Sequence, residues 1–567
     1  MKPDAVPDRP QPPGSGWPAV VAALPFLLLR SVSPNESYDF WWHLKTGEWI
    51  LRTGSLPTAD PYSFTAAGIP WVDHSWLFQV ALHLAHRAAG FWGPAGLRLG
   101  LLAVAVVAAA RYLSRRGVGP ATTAAVVLAC LWGSCFRLTV RPDLASWTGT
   151  ALLLLLLGEV RRTGRPWPAA LAAALLPVWA NLHIGAVLAP ALILPFCIEP
   201  WFFRGERQGG GTHPGAGRGR SAAPMFWCLF GWSWVALGIN PWGWRAYLVV
   251  LHLADLTARP WGRNLEWAAP EVIDFPLLYA ALAVTACLPL VRRRIPDPPV
   301  YLAVALMGIM GSISLRFVGL YFAGLPFLLA GYLARPEGSS GSAPRARWRS
   351  AAAWGTAACL GAGLPIHAAS AHPFRADFLL PDRFPAGAVD FLERNRIPAE
   401  RMFNDVKFGG YLIWRRYPGA RVFIDGRNEV YAALLPEVFA ALRSAEAWRA
   451  LLDRYRIDAA LLRYPPALSP VIYPAAGEAP SRRDSRPFSV LYFPRAEWAL
   501  VHWDDAAMLF LRRTPANADP IRRHEYRILR PDDDRNLFRR AGRDPELRRA
   551  LRGEIERKIA EDPDCRR

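Results

Sequence analysis

The sequence predicts an α-helical polytopic membrane protein with about eleven transmembrane helices and a C-terminal α/β domain outside the membrane. Three observations point there. Of 567 residues 52% are hydrophobic, including 25 Trp, and the apolar residues gather into runs of spanning length. The basic residues fall in short clusters between those runs. Beyond about residue 370 the long runs stop, and short apolar stretches alternate with helical patterns, as in a small α/β domain.

Taken in order, residues 1–17 are Pro-rich and polar and read as a disordered cytoplasmic N-terminus. Apolar segments follow at about 18–33, 95–113, 119–137, 144–160, 168–182, 184–203, 224–239, 274–291, 299–315, 317–334 and 350–368. The first is taken as an uncleaved span, because no small-residue cleavage site closes it. From His74 to Ala89 the pattern is broken by Gln79, His83, His86 and Arg87, so this stretch is laid on the outer surface as an amphipathic helix. With the N-terminus inside, the connections Arg111 to Arg116, Arg161 to Arg165, Arg204 to Arg220, Arg292 to Arg294 and Arg335 to Arg349 all become cytoplasmic. That is the distribution the positive-inside rule requires. Counting His74 to Ala89 as a span would throw most of these clusters outside. The expected domains are therefore 18–368, transmembrane, with a first outer loop at 34–94; 369–515, an extracytoplasmic α/β domain; and 516–567, a charged helical tail.

A formal charge of +20 would ordinarily suggest nucleic-acid binding, yet only four of the 66 basic residues are lysines and the arginines lie between apolar runs. This is a membrane-topology signal and argues against a nucleic-acid partner. Six of the seven cysteines (Cys130, Cys135, Cys197, Cys228, Cys287 and Cys359) lie inside apolar runs. They behave as small hydrophobes, which supports neither a disulfide framework nor a zinc site. The Gly- and Arg-rich stretch from Arg204 to Arg220 reads as a flexible linker, since it lacks the Lys-Ser/Thr ending of a phosphate-binding loop.

The densest chemistry lies in Tyr38 to Trp49, directly after the first span. Asp39 and His43 are four apart, so a helix starting here presents both on one face. Two readings stand side by side: Asp39 caps the helix while the Trp residues form an interfacial belt, or the segment is a site, because ionisable groups beside hydrocarbon are costly and usually functional. The same topology gathers Arg141-Pro142-Asp143, Asn181-Leu182-His183, Asn240-Pro241-Trp242-Gly243, Glu266-Trp267 and Arg316 on the outer side. Each alone has a structural explanation as a helix start or break, but convergence on one leaflet favours function. In the C-terminal domain, strands are expected near 401–404, 421–424, 459–463, 488–493, 498–503 and 507–512, and helices near 387–394, 433–443 and 446–455. Asn404-Asp405, Gly409-Gly410-Tyr411 and Phe423-Ile424-Asp425-Gly426-Arg427 lie at strand ends, where α/β domains bind ligands; with no phosphate-binding glycine fingerprint, they read as turn chemistry.

The first loop, from Asp39-Phe40-Trp41-Trp42-His43 through Gly54-Ser55-Leu56-Pro57-Thr58-Ala59-Asp60-Pro61-Tyr62 to Trp71-Val72-Asp73-His74-Ser75-Trp76, resembles bacterial members of the C-type (GT-C) polytopic membrane glycosyltransferase superfamily. The resemblance extends through Arg141-Pro142, Trp179-Ala180-Asn181-Leu182-His183, Asn240-Pro241-Trp242-Gly243 and Glu266-Trp267, to about Arg335. It implies a GT-C-like membrane domain and a glycosyltransferase that uses a polyprenyl-phosphate-linked sugar, hexosyl or pentosyl, at the outer face of a bacterial inner membrane. By position it implies Asp39 as catalytic base or metal-associated carboxylate, and Asp143 as a second outer acidic residue. The paired acidic residues common in that superfamily are missing at the first position, where only Asp39 and His43 stand. Whether a divalent ion such as Mg or Mn is needed is thus left open, with Asp39 and His43 the available ligands.

The expected chemistry follows from these residue types. Arginines suit the anionic donor phosphate through charge-assisted, bidentate bonds, and Arg141 and Arg316 are the candidates. The acceptor hydroxyl must lose its proton as it attacks C1, and a carboxylate can take it: Asp39, with His43 as orienter and Asp143 as the further catalytic candidate. Asp60, Asp73, His74, Asn181, His183 and Glu266 are the expected substrate contacts. The acceptor, an envelope glycan, lipid or protein, is not named by any motif. Two other classes compete: a transporter or flippase of lipid-linked glycans, whose polar groups would line a path through both leaflets, and a non-catalytic membrane assembly protein.

Overall fold

The computed structural model describes residues 16–202, 218–259, 265–334, 350–361, 363, 380, 382–442, 444–466, 468–473, 482–533, 537–563 and 565. Residues 204–217 of the expected linker Arg204 to Arg220 lie outside the described residues, whereas its last three residues, 218–220, begin a helix instead; the Arg-rich connection 335–349 and residues 364–368 of the last expected apolar segment also lie outside them.

The chain forms two compact units. One comprises Met1–Pro34, His74–Thr257 and Arg263–Phe378, and the other Asn35–Asp73, Ala258–Gly262 and Leu379–Arg567. The first outer loop, assigned from sequence to the transmembrane domain as a whole over 34–94, thus divides at Asp73. Residues 35–73 pack with the C-terminal domain.

The membrane unit is helical: α1 (Trp17–Val32), α3 (Trp76–Ala89), α4 (Trp92–Arg115), α5 (Pro120–Ser134), α6 (Asp143–Thr163), α7 (Pro166–Leu182), α8 (Ala189–Phe202), α9 (Arg218–Gly238), α10 (Arg245–Ala258), α11 (Pro276–Arg292), α12 (Pro298–Ile313), α13 (Leu315–Leu333) and α14 (350–361). Among the described residues, four helical segments are long and apolar enough to cross a membrane: α4, α6, Ile184–Trp201 and α13. Four shorter apolar ones are Trp17–Val32, Ala222–Gly238, Pro276–Arg292 and Pro298–Ile313. Of the four long segments, α6 and α13 are the most deeply buried in protein. Leu153, Leu154 and Leu157 of α6 and Tyr321, Phe327 and Ala330 of α13 are part of a continuous apolar core. Proline interrupts α1, α7, α8, α9, α11 and α13, tolerated because neighbouring helices can re-satisfy the freed backbone groups. At one end of the bundle, arginines of the expected cytoplasmic clusters pair with buried acids: Arg115 with Glu159, Arg116 and Arg161 with Asp297 at 2.6 Å each, and Arg161 with Glu199. Part of the basic excess there is therefore spent on tying helix ends together.

The second unit is mixed α/β. Its elements are α2 (Phe40–Thr53), α15 (Ala386–Arg394), β1 (Met402–Asn404), α16 (Val406–Arg416), α17 (Leu434–Ala441), α18 (Ala445–Arg454), β2 (Ala459–Arg463), β3 (Leu468–Tyr473), β4 (Arg482–Pro487), α19 (Phe488–Tyr492), β5 (Trp498–Trp503), β6 (Ala507–Arg512), α20 (Ala518–His524), α21 (Leu537–Arg543) and α22 (Pro545–Glu561). A four-stranded sheet runs β1-β2-β6-β5, with β1 and β2 parallel and the other pairings antiparallel. β2, β5 and β6 are almost wholly buried, as expected of strands covered on both faces.

Two sequence expectations change here. Residues 488–492 are helical, and 421–424 form no strand of the sheet: Val422 instead makes a parallel bridge to Ser63. The Val422 amide donates to Tyr62 O at 3.0 Å and the Phe64 amide donates to Val422 O at 3.1 Å. The apolar run at 421–424 is satisfied by the first loop, a partner some 360 positions away that local periodicity does not reveal. The charged tail is helical and packed, with the buried Lys558 donating to Trp503 O at 2.6 Å and Tyr526 donating to Glu561.

Candidate functional site

In the membrane unit the polar residues collect where helices begin and end. The 3-10 turn Cys135–Arg137 closes α5, and Pro142 caps α6, which fixes Arg137, Arg141 and Asp143 within one short reversal. Glu266 sits in the single turn Leu265–Trp267. The Ser314 hydroxyl caps α13 by accepting from the Arg316 amide and itself donates to Glu266 O at 3.1 Å. Glu266 is thereby held at the start of α13, beside Arg316.

The result is a cluster of three arginines on one glutamate. Arg141 donates through both terminal nitrogens to Glu266. Arg137 Nη1 lies 3.2 Å from the same carboxylate and its Nη2 bonds Asp143, while Arg316 Nε is 3.4 Å from Glu266 Oε2 and its guanidinium lies over the Trp267 ring at 4.6 Å. Three cations face two carboxylates, so positive charge is in excess. Burial would push the Glu266 carboxyl up, but Arg141, Arg137 and Arg316 outweigh it and hold Glu266 well below the usual carboxylate range. Asp143 Oδ1 and Arg316 Nε are buried yet have no hydrogen-bond partner among the described residues. Unmet buried polar atoms are costly and call for an explanation.

Two histidines border the cluster, with ring centres 6.4 Å apart. His183 accepts from the Gly185 amide and meets the Ser146 hydroxyl at 2.7 Å, and Trp179 donates to the same hydroxyl at 2.8 Å. Burial lowers His183 to about 3, with Asp143 opposing and His74, Arg316 and Arg141 reinforcing; burial and Arg316 lower His74 to about 4. Both rings are neutral at physiological pH. Trp179 also walls an apolar cleft of about 400 Å³ between α4, α6 and α7, with Gly96, Gly100, Val104, Leu152 and Leu175.

In the second unit, Gly409 and Gly410 let α16 approach its neighbours. A Cβ on Gly409 would lie 2.2 Å from Ile424 O, and one on Gly410 would lie 2.5 Å from Tyr38 O. Trp41 is sealed against Phe384, Tyr411 and Trp414. Asp39 is the N-cap residue of α2 by position but makes no capping hydrogen bond. Its Oδ1 accepts from Trp42 Nε1 at 3.2 Å, and the Trp42 and His43 rings lie against each other at 3.6 Å. Of the two sequence readings for Asp39, helix capping is not the one its side chain adopts.

Nearby, Arg427 is fully buried and donates to Asp60 at 2.7 Å and to Asp425 through Nε at 2.9 Å and Nη2 at 2.6 Å. Tyr431 also donates to Asp425 at 2.6 Å. The guanidinium lies over Trp71, Tyr62 and Trp42 at 4.6, 5.0 and 5.9 Å. Burial would lower Arg427, but Asp425, Tyr431 and Asp60 hold it well above its ordinary range.

Six of the expected site residues thus fall in one polar region: His74, Arg141, Asp143, His183, Glu266 and Arg316. Others have structural work. The Asn181 amide is spent on Trp76, Pro177 O and Ile239 O, tying α3, α7 and α9 together, and Asn240 organises its own turn. Asp60, expected as a substrate contact, accepts from Tyr62 N, Ser63 N, Ser63 Oγ and Arg427, which fills its lone pairs. Asp73 is buried; it belongs to the second unit, as do Asp39, His43 and Asp60. Sequence reasoning missed Arg137, although it stands four residues before Arg141, and read Asp425-Gly426-Arg427 as a simple turn.

Among the described residues no group of three or more His, Cys, Asp or Glu side chains is arranged to hold a metal ion. Asp39 accepts from Trp42, and the His43 ring lies against the Trp42 ring.

No protein-family model matches the chain, and no curated protein matches it in sequence. Solved structures do match. The archaeal oligosaccharyltransferase AglB from Archaeoglobus fulgidus, in complex with an inhibitory peptide and a dolichol-phosphate, superposes with a TM-score of 0.53 at 11% identity, covering 95% of this chain and 83% of that one. ArnT from Cupriavidus metallidurans bound to undecaprenyl phosphate gives 0.50 at 11% identity, over 89% and 99% of the two chains. Its apo form gives 0.51 at 12% identity, over 87% and 97%. At such identities the likeness speaks to the fold, and it extends over nearly the whole chain. The protein has the fold of the C-type membrane glycosyltransferases.

Proposed function

We propose that this protein is a membrane glycosyltransferase that moves a sugar from a polyprenyl-phosphate donor to an envelope acceptor at the outer face of a bacterial inner membrane. The observation that carries it is the arginine cluster: Arg137 and Arg141 from one reversal and Arg316 from the start of α13 surround Glu266 with positive charge in excess. A phosphate is the ligand such an array suits, because guanidinium groups meet its oxygens in charge-assisted pairs. The apolar cleft walled by Gly100 and Trp179 suits the donor's hydrocarbon tail. Solved structures of this fold contain undecaprenyl phosphate or dolichol-phosphate.

In the proposed step the acceptor oxygen bonds to C1 of the sugar as the bond from C1 to the phosphate oxygen breaks. The electron pair leaves with the polyprenyl phosphate, whose added charge the arginines stabilise. The acceptor proton passes to the Asp39 carboxylate, with His43 fixing the loop by stacking on Trp42. A single displacement of this kind inverts the anomeric carbon. Asp143 is the second candidate base, favoured by its buried and unmet Oδ1.

The orientation has independent support. Residues 35–73 and 379–567 share one unit, which fits an even number of crossings by the chain between them. Eleven spans, with α3 lying on the surface, satisfy that parity and the positive-inside rule together. Reporter fusions at Arg115 and Arg293 should read inside, and fusions at Gly54 and Gly409 outside.

The deciding experiment compares Asp39→Asn and Asp143→Asn with the parent. Asn is nearly as good a helix cap as Asp but cannot act as a base. Asp39→Asn should keep its thermal unfolding temperature and lose roughly a hundredfold or more of sugar transfer. Normal transfer by Asp39→Asn with loss in Asp143→Asn would move the base to Asp143. Unchanged envelope glycans and glycolipids in cells lacking the protein would overturn the assignment as a transferase.

A further inference from the structure

We infer that Gly426, in the C-terminal domain, is a positioning residue for the Asp39 carboxylate. This rests on the assignment of Asp39 as base and extends it to a segment far away in sequence. A Cβ added to Gly426 would lie 2.2 Å from Asp39 Oδ1, and the next nearest atoms are Asp39 Cγ at 3.4 Å and Trp42 Nε1 at 3.9 Å. Among the described residues beyond its chain neighbours, the severe conflict such a Cβ would meet is therefore the tip of one carboxylate. Gly426 is not among the residues with positive φ, so the backbone itself does not demand glycine there.

The neighbours of Gly426 are buried and held by several hydrogen bonds. Asp425 accepts from the Arg427 amide at 2.9 Å, from the Arg427 side chain and from Tyr431, and Arg427 also holds Asp60. All are buried, and the guanidinium is enclosed by Trp42, Tyr62 and Trp71. A side chain at 426 cannot escape by moving this segment; Asp39 has to turn instead. Turning the carboxylate takes Oδ1 off Trp42 Nε1, the donor that fixes it at 3.2 Å. The C-terminal domain thus sets the direction in which the base faces. The Phe423-Ile424-Asp425-Gly426-Arg427 run is a rigid seat for Asp39 rather than an ordinary turn.

The test is a double-mutant cycle in the full-length protein, with the polyprenyl-phosphate sugar fraction extracted from the producing cells as donor, their envelope fraction as acceptor, and release of polyprenyl phosphate as readout. Gly426→Ala should lower kcat at least tenfold, leave the donor KM within about twofold, and keep the unfolding temperature within a few degrees. In an Asp39→Asn background the same substitution should cause no further loss, which a merely structural role would not produce. Parental turnover by Gly426→Ala, beside an inactive Asp39→Asn, would overturn the positioning role and leave Asp39 as base. Parental turnover by Asp39→Asn would remove the base and the positioning role with it. If Gly426→Ala does not fold, Trp42→Phe decides: it deletes the Nε1 donor while keeping an aromatic ring, and a several-fold fall in kcat that vanishes in the Asp39→Asn background supports the inference, whereas additive loss overturns it.

Discussion

Two arginine clusters in this protein are built from the same residue types and reach opposite ends. In the membrane unit Arg137, Arg141 and Arg316 crowd around Glu266, the side chains of Arg316 and Glu266 are 32% and 24% exposed, and cations outnumber carboxylates. In the second unit one arginine, Arg427, lies between Asp60 and Asp425 with all three side chains at 0% exposure, under three aromatic rings. The first arrangement leaves cations in excess of carboxylates, as the proposed phosphate site requires. The second consumes them, because a sealed ion pair is stable only when nearly every lone pair and proton is answered. Burial and stoichiometry, not residue identity, separate the two clusters.

The largest effect expected from this contrast is on folding. Arg427→Met would leave Asp60 and Asp425 as uncompensated buried carboxylates and should destabilise the second unit by about 3–5 kcal/mol, read as a lower midpoint in thermal or denaturant unfolding. Arg316→Ala should leave that midpoint almost unchanged. An unfolding midpoint that moves more for Arg316→Ala than for Arg427→Met would reverse the two roles.

The next effect is on donor use. Losing a charge-assisted contact is worth about 1.5–3 kcal/mol, so Arg316→Ala should raise the donor KM by roughly ten- to a hundredfold. Arg316→Lys should retain part of the affinity, since the charge stays while the planar fork is lost. Arg137→Ala, a residue the sequence did not single out, should behave like Arg316→Ala. Parental KM in both alanine variants at limiting donor would dissociate the cluster from the phosphate.

The smallest effect is a pH dependence confined to the membrane cluster. His74 and His183 are lowered to about 4 and 3 by burial and nearby arginines. A histidine with a depressed folded pKa takes up its proton more readily in the unfolded chain, so stability is constant above about pH 6.5 and falls as the pH drops towards 4. Glu266, held below its ordinary range by Arg141, Arg137 and Arg316, adds to the loss below about pH 4.5. The unfolding temperature should therefore decline between pH 6.5 and 4, and His74→Gln with His183→Gln should flatten that slope. An unchanged slope would place the two imidazoles in contact with water.

Much of this protein is determined by sequence alone. Apolar runs marked α1, α4 to α9 and α11 to α13, though not α10, because burial in hydrocarbon needs length and hydropathy, both local properties. Short apolar runs near 401–404, 459–463, 498–503 and 507–512 marked the four strands of the sheet for the same reason. The expectation that Arg141, Asp143, His183, Glu266 and Arg316 lie together also followed from the helix boundaries. Only the tertiary structure decided which of these groups meet. It brought Arg137 onto Glu266, spent Asn181 on holding helices, and gave Val422 the partner Ser63 rather than a neighbouring strand. It turned Asp39 from a cap into an acceptor for Trp42 beside Gly426, and joined Asp60 to Arg427 across 367 residues. Periodicity encodes how deeply a residue is buried; the partner of a buried charge is set by chain reversals hundreds of residues away, and no local pattern records it.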